Sequence, residues 1–418
     1  MTAKTATLNP QELAECLTVE PPVAIRLIDV ERENGPLQLS PSRTGRPYQR
    51  LLALLRLNGC LLGWVSLPVS TAGVVSLDGL RDSFGGSPVA PKDAAGGAAD
   101  GGSALLSVVI ATCANPELAV RCVKSILAAV PEPFEAIVVE NRPQGSTVEQ
   151  TLRDTFKEDQ RIRYVEEWRP GLSAARNAGL AIARGELVAF TDDDVQVDPA
   201  WASAVRRAFA AESRTDCVTG LILPSELETR AQLLDERFAS FGKGFARRTY
   251  SIDEPPPDQP LFPYTAGYFG SGANMTFRSS AIRELGGFDA ALGTGTPARG
   301  AEDLDICIRL LHAGRHLTYE PAAMVWHRHP DSMPAVRRQV FGYGVGLGAM
   351  LAKHVALGPN RWAVVSRSIQ GLRYYTNPDS RKNALRGDSF PRSLVRLERI
   401  GLLLGPLAYL ASRIKQAL

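Results

Sequence analysis

Three features are missing from these 418 residues. The six cysteines (Cys16, Cys60, Cys113, Cys122, Cys217 and Cys307) stand apart, with no metal-type C-x-x-C pair. That spacing fits reduced thiols better than a disulfide framework. The opening MTAKTATLNPQELAECL has no apolar signal core. No apolar run is long enough to cross a bilayer: the best candidate, 400–411, is short and interrupted by Pro406. The expected location is therefore cytoplasmic, with any membrane contact peripheral and at the inner face.

What is present is globular: 44% apolar and 22% charged residues, in a chain long enough for two or three units. The net charge of +3 hides an asymmetry, because residues 331–418 hold 14 Lys and Arg against 4 Asp and Glu, leaving about −7 elsewhere. Such a tail suits an anionic neighbour, either phospholipid or a phosphate-bearing acceptor, or is simply a solvated helical face. It carries no nucleic-acid recognition motif and few aromatics near its arginines, so no nucleic-acid partner is expected.

Four segments follow from patterning. Residues 1–84 read as a small strand-containing module, with Asn58-Gly59 marking a hairpin between two apolar runs. Residues 85–104 are rich in Gly, Ala and Pro and read as a flexible linker. From 105 to 330, apolar β-branched runs alternate with helical-period segments. Short links between them predict βαβ units on a mostly parallel open sheet with helices on both faces. Residues 331–418 read as a basic helical extension. Within it FGYGVGLGAML has alternate glycines but follows no strand, which argues for a close-packed helix rather than a phosphate loop.

Polar groups collect where strands end. Thr112 follows the first strand of the sheet, Glu140 and Asn141 the second, and Asp192, Asp193 and Asp194 follow ELVAF. In an open α/β sheet, that edge is where ligands sit. Like charges in sequence are tolerable around a hard divalent cation, Mg²⁺ or Mn²⁺. On extended backbone Asp192 and Asp194 point one way and Asp193 the other. A second acidic group, Glu302, Asp303 and Asp305, opens a helix after a Gly-rich loop. It suits a general base or plain dipole complementation. In MVWHRHP, His327 and His329 share a face, and one imidazole can complete a metal shell.

Taken in order, residues 105 to about 330 resemble family 2 glycosyltransferases of the nucleotide-sugar-binding GT-A fold. The resemblance runs through SVVIATCANPELAVRCVKSIL, VVEN, GLSAARNAGLAIARGELVAFTDDDV, GANMTFRSSAIRELGGFDAALG and GAEDLDICIRL. It implies that Thr112 and Glu140 lie around the donor's base and ribose, with Glu where the family often has Asp. It places Arg176 and Asn177 beside the nucleotide, Asp192 and Asp193 with the donor, and Asp194, Asp192 and His327 at the metal. Asp303 becomes the catalytic base, with Glu302 beside it. The implied reaction is inverting and metal-dependent, using Mn²⁺ or Mg²⁺. It moves a hexose-like sugar from a nucleotide-sugar to a hydroxyl of a glycan, a lipid-linked or another acceptor. The expected setting is cell-surface polysaccharide or glycolipid synthesis. A non-catalytic carbohydrate- or nucleotide-binding protein on the same fold would be expected to lack one acidic cluster, and both are here. A sugar nucleotidyltransferase would need a Gly-rich basic loop after the first strand, which ATCANPELAV is not.

Overall fold

The computed structural model describes residues 10–80 and 104–418, apart from 158, 240, 241, 258, 266, 360, 378, 379, 381, 384, 387, 388 and 418. All but the last residue of the expected linker, 85–104, lies outside the described residues. The first elements are a short helix, α1 (Pro10–Cys16), and strands β1 (Ala24–Asp29), β2 (Pro36–Gln38), β3 (Arg50–Leu57), β4 (Cys60–Pro68) and β5 (Val74–Ser76). Asn58 (φ 51°) and Gly59 (φ 76°) supply the two positive φ angles that a tight hairpin requires, and join β3 to β4. β1 pairs parallel to β3, and β2 pairs with β5 in a separate ribbon. One face of this module packs Leu52, Leu54 and Trp64 against Leu221, Leu223 and Leu233 of the larger unit.

That larger unit holds α2 (Pro116–Ala129), α3 (Val148–Phe156), α4 (Leu172–Ile182), α5 (Trp201–Ala211), α6 (Arg230–Ala239), α7 (Ser279–Glu284) and α8 (Glu302–His312). Its strands are β6 (Leu106–Thr112), β7 (Phe134–Asn141), β8 (Ile162–Glu167), β9 (Leu187–Asp192), β10 (Val195–Val197), β11 (Thr215–Pro224), β12 (Arg248–Tyr250), β13 (Met275–Arg278) and β14 (His316–His327). They form one sheet, ordered β10-β14-β11-β13-β9-β6-β7-β8, with β12 added on β14. β6, β7, β8 and β9 are mutually parallel, as are β11 and β14, while β10, β12 and β13 run against their neighbours. The α/β expectation of a mostly parallel sheet therefore holds, with β13 inserted antiparallel between β9 and β11.

The apolar runs are continuous because both faces are covered. Val108 and Ile110 pack under α2 and α5. Val109 and Ala111 face α4 and α8 on the other side. Each such side chain contributes about 1.5–3 kcal/mol on burial. Gly179 lets α4 lie close to the sheet, since a Cβ there would stand 2.3 Å from Val109 Cγ1.

The tail is helical: α9 (Met333–Ala356), α10 (Arg361–Ser366), α11 (Ser368–Thr376) and α12 (Arg392–Ala417). The alternate glycines give α9 two bare faces. Gly344 and Gly348 abut Glu398 and Leu402 of α12, while Gly346 abuts Gly300, just ahead of α8. The residue numbers rise together along both helices, so α9 and α12 run parallel. No described helix is long and apolar enough to cross a membrane. All six cysteines are unpaired.

Candidate active site

The three acids after β9 diverge as an extended backbone dictates. Asp193 turns toward the β6 end, where the Thr112 hydroxyl donates to its Oδ2 at 2.6 Å. Burial, helped by the charges of Asp194 and Asp192, pushes its carboxyl up to about 7 against that hydrogen bond. Asp192 and Asp194 both line the main cavity. Asp192 Oδ1 accepts from Arg176 Nη2 at 2.9 Å. Asp194 Oδ1 is buried with no hydrogen-bond partner among the described residues, and faces His327 Nε2 at 3.4 Å. Burial raises the Asp194 carboxyl as well.

The three acids of α8 diverge for a different reason, the 100° turn per helical residue. Glu302 is buried and accepts from Arg176 Nη1 at 2.8 Å. Burial and the neighbouring Asp303 push it up to about 7, with Arg176 acting against the shift. Asp303 lines the cavity, its Oδ2 held by the Gly272 N–H at 2.8 Å and its Oδ1 by its own helix at Leu304 N. Asp305 turns away toward the tail, with Arg309 Nε of its own helix at 2.8 Å and Lys353 Nζ and His354 Nε2 of α9 at 2.7 and 3.2 Å. Burial opposes its charge, yet those three groups hold its carboxyl well below the ordinary range.

Arg176, on α4, is 1% exposed and joins the two acidic groups. Burial works against its charge, and Asp192 and Glu302 more than restore it. A third bond, to the Gly272 carbonyl at 3.0 Å, explains the glycine: a Cβ there would stand 2.7 Å from the guanidinium nitrogens. Gly272 thus accepts from Arg176 and donates to Asp303, so one residue sets both.

Behind His327 runs a buried chain. His327 Nδ1 lies 3.4 Å from His329 Nδ1, and His329 Nε2 lies 2.8 Å from Glu236 Oε2. Asp235 Oδ2 stands 3.5 Å from His329. This chain fixes the imidazole ring whose Nε2 faces Asp194. Asp194 and His327 offer one carboxylate and one imidazole, a donor pair that fits a divalent cation completing its shell from phosphate oxygens. Among the described residues, no three His, Cys, Asp or Glu side chains gather into a complete cage. The cavity they line measures about 1420 Å³ and is walled also by Trp64, Lys243, Tyr343 and Arg386. Burial lowers Lys243 to about 8.

The structure brings Arg176, Asp192, Asp194, Glu302, Asp303 and His327 to this one cavity. Thr112, Glu140 and Asp193 sit together at the β6 and β7 ends, outside its lining. Glu140 is fully buried, with Oε2 accepting from the Tyr164 hydroxyl at 2.6 Å and Oε1 without a partner among the described residues. Asn177 is not among the residues that line the cavity. Its amide donates to the Phe288 carbonyl at 2.8 Å and accepts from the Phe288 N–H at 2.9 Å, so it pins a loop. Gly272, Asp235 and Glu236 were not singled out by the sequence. Nothing local in the sequence marks Asp235 and Glu236 as covered.

Comparison with known proteins agrees with the geometry. Residues 107–286 match the family model described as Glycosyl transferase family 2. The chain is 32% identical over 185 residues to the pre-mycofactocin glycosyltransferase of Mycobacterium tuberculosis, covering 44% of this chain and 36% of that one. It is 24% identical over 220 residues to the glucosyl-dolichyl phosphate glucuronosyltransferase of Haloferax volcanii, covering 49% and 63%. The matched region thus spans about a third of the first relative's length and under two thirds of the second's. A solved mannosyltransferase from Pyrobaculum calidifontis, in complex with GDP-Man and Mn²⁺, matches at 17% identity and TM-score 0.45, over 76% of this chain and 88% of that chain. Residues 107–286, less than half of the chain, are thus similar to glycosyltransferase family 2.

Proposed function

We propose that the protein transfers a sugar from a nucleotide-sugar to an acceptor hydroxyl, with inversion at the anomeric carbon. The observation that carries this is the convergence of two acidic groups, from β9 and α8, on one cavity, joined by Arg176. Asp303 is the general base. Backbone N–H groups at Gly272 and Leu304 fix its carboxylate, and it takes the proton as the acceptor oxygen bonds to the anomeric carbon. The bond from that carbon to the diphosphate breaks on the opposite face, and the nucleoside diphosphate leaves. Arg176 offsets part of the charge of Asp192 and Glu302, so the base works beside a screened pair rather than two bare carboxylates. Asp194 and His327, with Asp192 alongside, would hold Mn²⁺ or Mg²⁺, which offsets charge developing on the leaving diphosphate. Thr112, Asp193 and Glu140 lie toward the donor's nucleoside.

The Haloferax relative's name specifies a lipid-linked sugar acceptor, which supports a glycan or lipid-linked hydroxyl here as well. The test is nucleoside diphosphate release from a panel of nucleotide-sugars, with Mn²⁺, Mg²⁺ or EDTA, with a thermal-shift series beside it. Metal-dependent release from one donor is expected, lost in Asp194→Ala and reduced about 10²–10⁴-fold in Asp303→Asn. If no nucleotide with Mn²⁺ raises the melting temperature and no donor is cleaved, a non-catalytic binding role replaces this reading.

A further inference from the structure

Eleven of the twelve large apolar side chains exposed among the described residues lie between 355 and 414. Six of these, Ile400, Leu403, Leu404, Leu407, Leu410 and Ile414, recur at three- and four-residue intervals and so share one side of α12. Leu403 is 78% exposed and Leu407 67%, values typical of charged surface residues. The opposite stripe of α12, including Gly401, Gly405 and Tyr409, is buried. Because α9 and α12 run parallel, the end of α12 lies beside the end of α9, where Val355 and Leu357 are exposed. The next two helices add Trp362, Val365 and Ile369, again spaced by three and four.

Among the described residues, the exposed charges around this apolar surface have one sign. Arg361, Arg373, Arg392, Arg396, Arg399, Arg413 and Lys415 are exposed. Among the described residues from 361 onward the one acidic side chain is Glu398, which is buried and paired with Lys382 and Arg386. Arg396 and Arg399 stand at one end of the α12 apolar stripe, and Arg413 and Lys415 at the other. A second copy docking face to face would set these cations against one another, with no exposed acid among the described residues from 361 onward to pair them. A plane of phosphate headgroups over acyl chains meets both features at once.

We infer that the outer face of α12, continued by α10 and α11, docks flat on an anionic phospholipid surface. The apolar stripe enters the headgroup–acyl boundary and the flanking arginines engage lipid phosphates. The same tail supplies Tyr374, Leu385 and Arg386 to the cavity wall, so the docked face and the cavity belong to one helical unit.

The test is co-sedimentation of the full chain with vesicles of phosphatidylcholine alone, or of phosphatidylcholine with phosphatidylglycerol, at low and high salt. Binding to the anionic vesicles is expected to be about tenfold or more tighter than to the neutral ones, and to weaken with salt. Leu403→Asp with Leu407→Asp lowers that affinity about tenfold or more at an unchanged melting temperature, since both side chains stand in solvent. Arg396→Gln with Arg399→Gln flattens the salt dependence. The inference is overturned if neither vesicle binds, or if the leucine variant binds like the parent. It is also overturned if light scattering shows a parent dimer that the leucine variant makes monomeric while vesicles leave both in solution, because the face is then an interface between copies.

Discussion

Each acidic triplet of this protein divides its labour in the same way, although one sits on extended backbone and the other on a helix. One member of each binds Arg176: Asp192 after β9 and Glu302 on α8. A second, Asp194 or Asp303, lines the cavity without a hydrogen bond to Arg176. One turns outward to hold structure, Asp193 to Thr112 and Asp305 to the tail. Two backbone geometries thus reach one arrangement, and the joint between them is a single buried guanidinium. The difference lies in the outward members. Asp193 is tied by one hydroxyl and sits near neutrality, whereas Asp305 is surrounded by cations and is held strongly ionised. The first cluster is therefore responsive to what binds beside it, and the second is fixed by the fold.

Removing the joint should have the largest effect. Arg176→Met leaves Asp192 and Glu302 without their counter-charge, one of them fully in the interior. A loss of about 3–5 kcal/mol is expected, read as the urea midpoint at neutral pH. Because a neutral Glu302 suffers less from that loss, the deficit should shrink as the pH is lowered toward 5. An unchanged midpoint would mean that the clusters are held by their own backbones. Next comes Asp305→Asn, which keeps the shape but removes the carboxylate shared by Lys353, Arg309 and His354. A loss of about 3 kcal/mol is expected, with the acidic limb of the stability curve moved upward. Asp305 is held low, so its stabilisation is present above about pH 4 and fades as pH falls through its folded value. The variant lacks that fade. If the tail instead docks only through its glycines, Asp305→Asn will melt like the parent.

Much of the parallel part of the sheet was legible because several of its strands, LSVVIAT and FEAIVVE among them, are continuous apolar runs between clear helical segments. The antiparallel strands were not, for they are short and mixed: MTFR of β13 and RTY of β12 carry too few residues for a period to show. The convergence of Asp192, Asp194 and Asp303 was legible from strand-end and helix-start positions. The role of Arg176 as a joint was not, because it depends on Glu302, 126 residues away. Asn177 shows the same blindness from the other side, since a loop 111 residues distant occupies its amide. In α6, Gln232, Asp235, Glu236 and Arg237 are all buried because β14's His329 and the tail close over them, a long-range fact that the helical period alone conceals.

The smallest effect tests the pairing of the two near-neutral acids. Asp193 and Glu302 both stand at about 7, well above the ordinary carboxylate range. An acid raised in the folded state contributes stability that is complete below its unfolded value of about 4 and is lost as pH rises through 7. In EDTA, the melting temperature should therefore fall between pH 5.5 and 8. Asp193→Asn and Glu302→Gln should each flatten that fall, by about 1–2 kcal/mol at the alkaline end. Mn²⁺ should separate the two acids. A cation at Asp194 favours ionised neighbours after β9, so it should abolish the Asp193 share of the slope and release a proton at pH 7, measurable as buffer-dependent heat on titration. Glu302, shielded by Arg176, should keep its share. Equal suppression of both shares by Mn²⁺ would show that the clusters titrate as one network, with Arg176 conducting the coupling instead of insulating it.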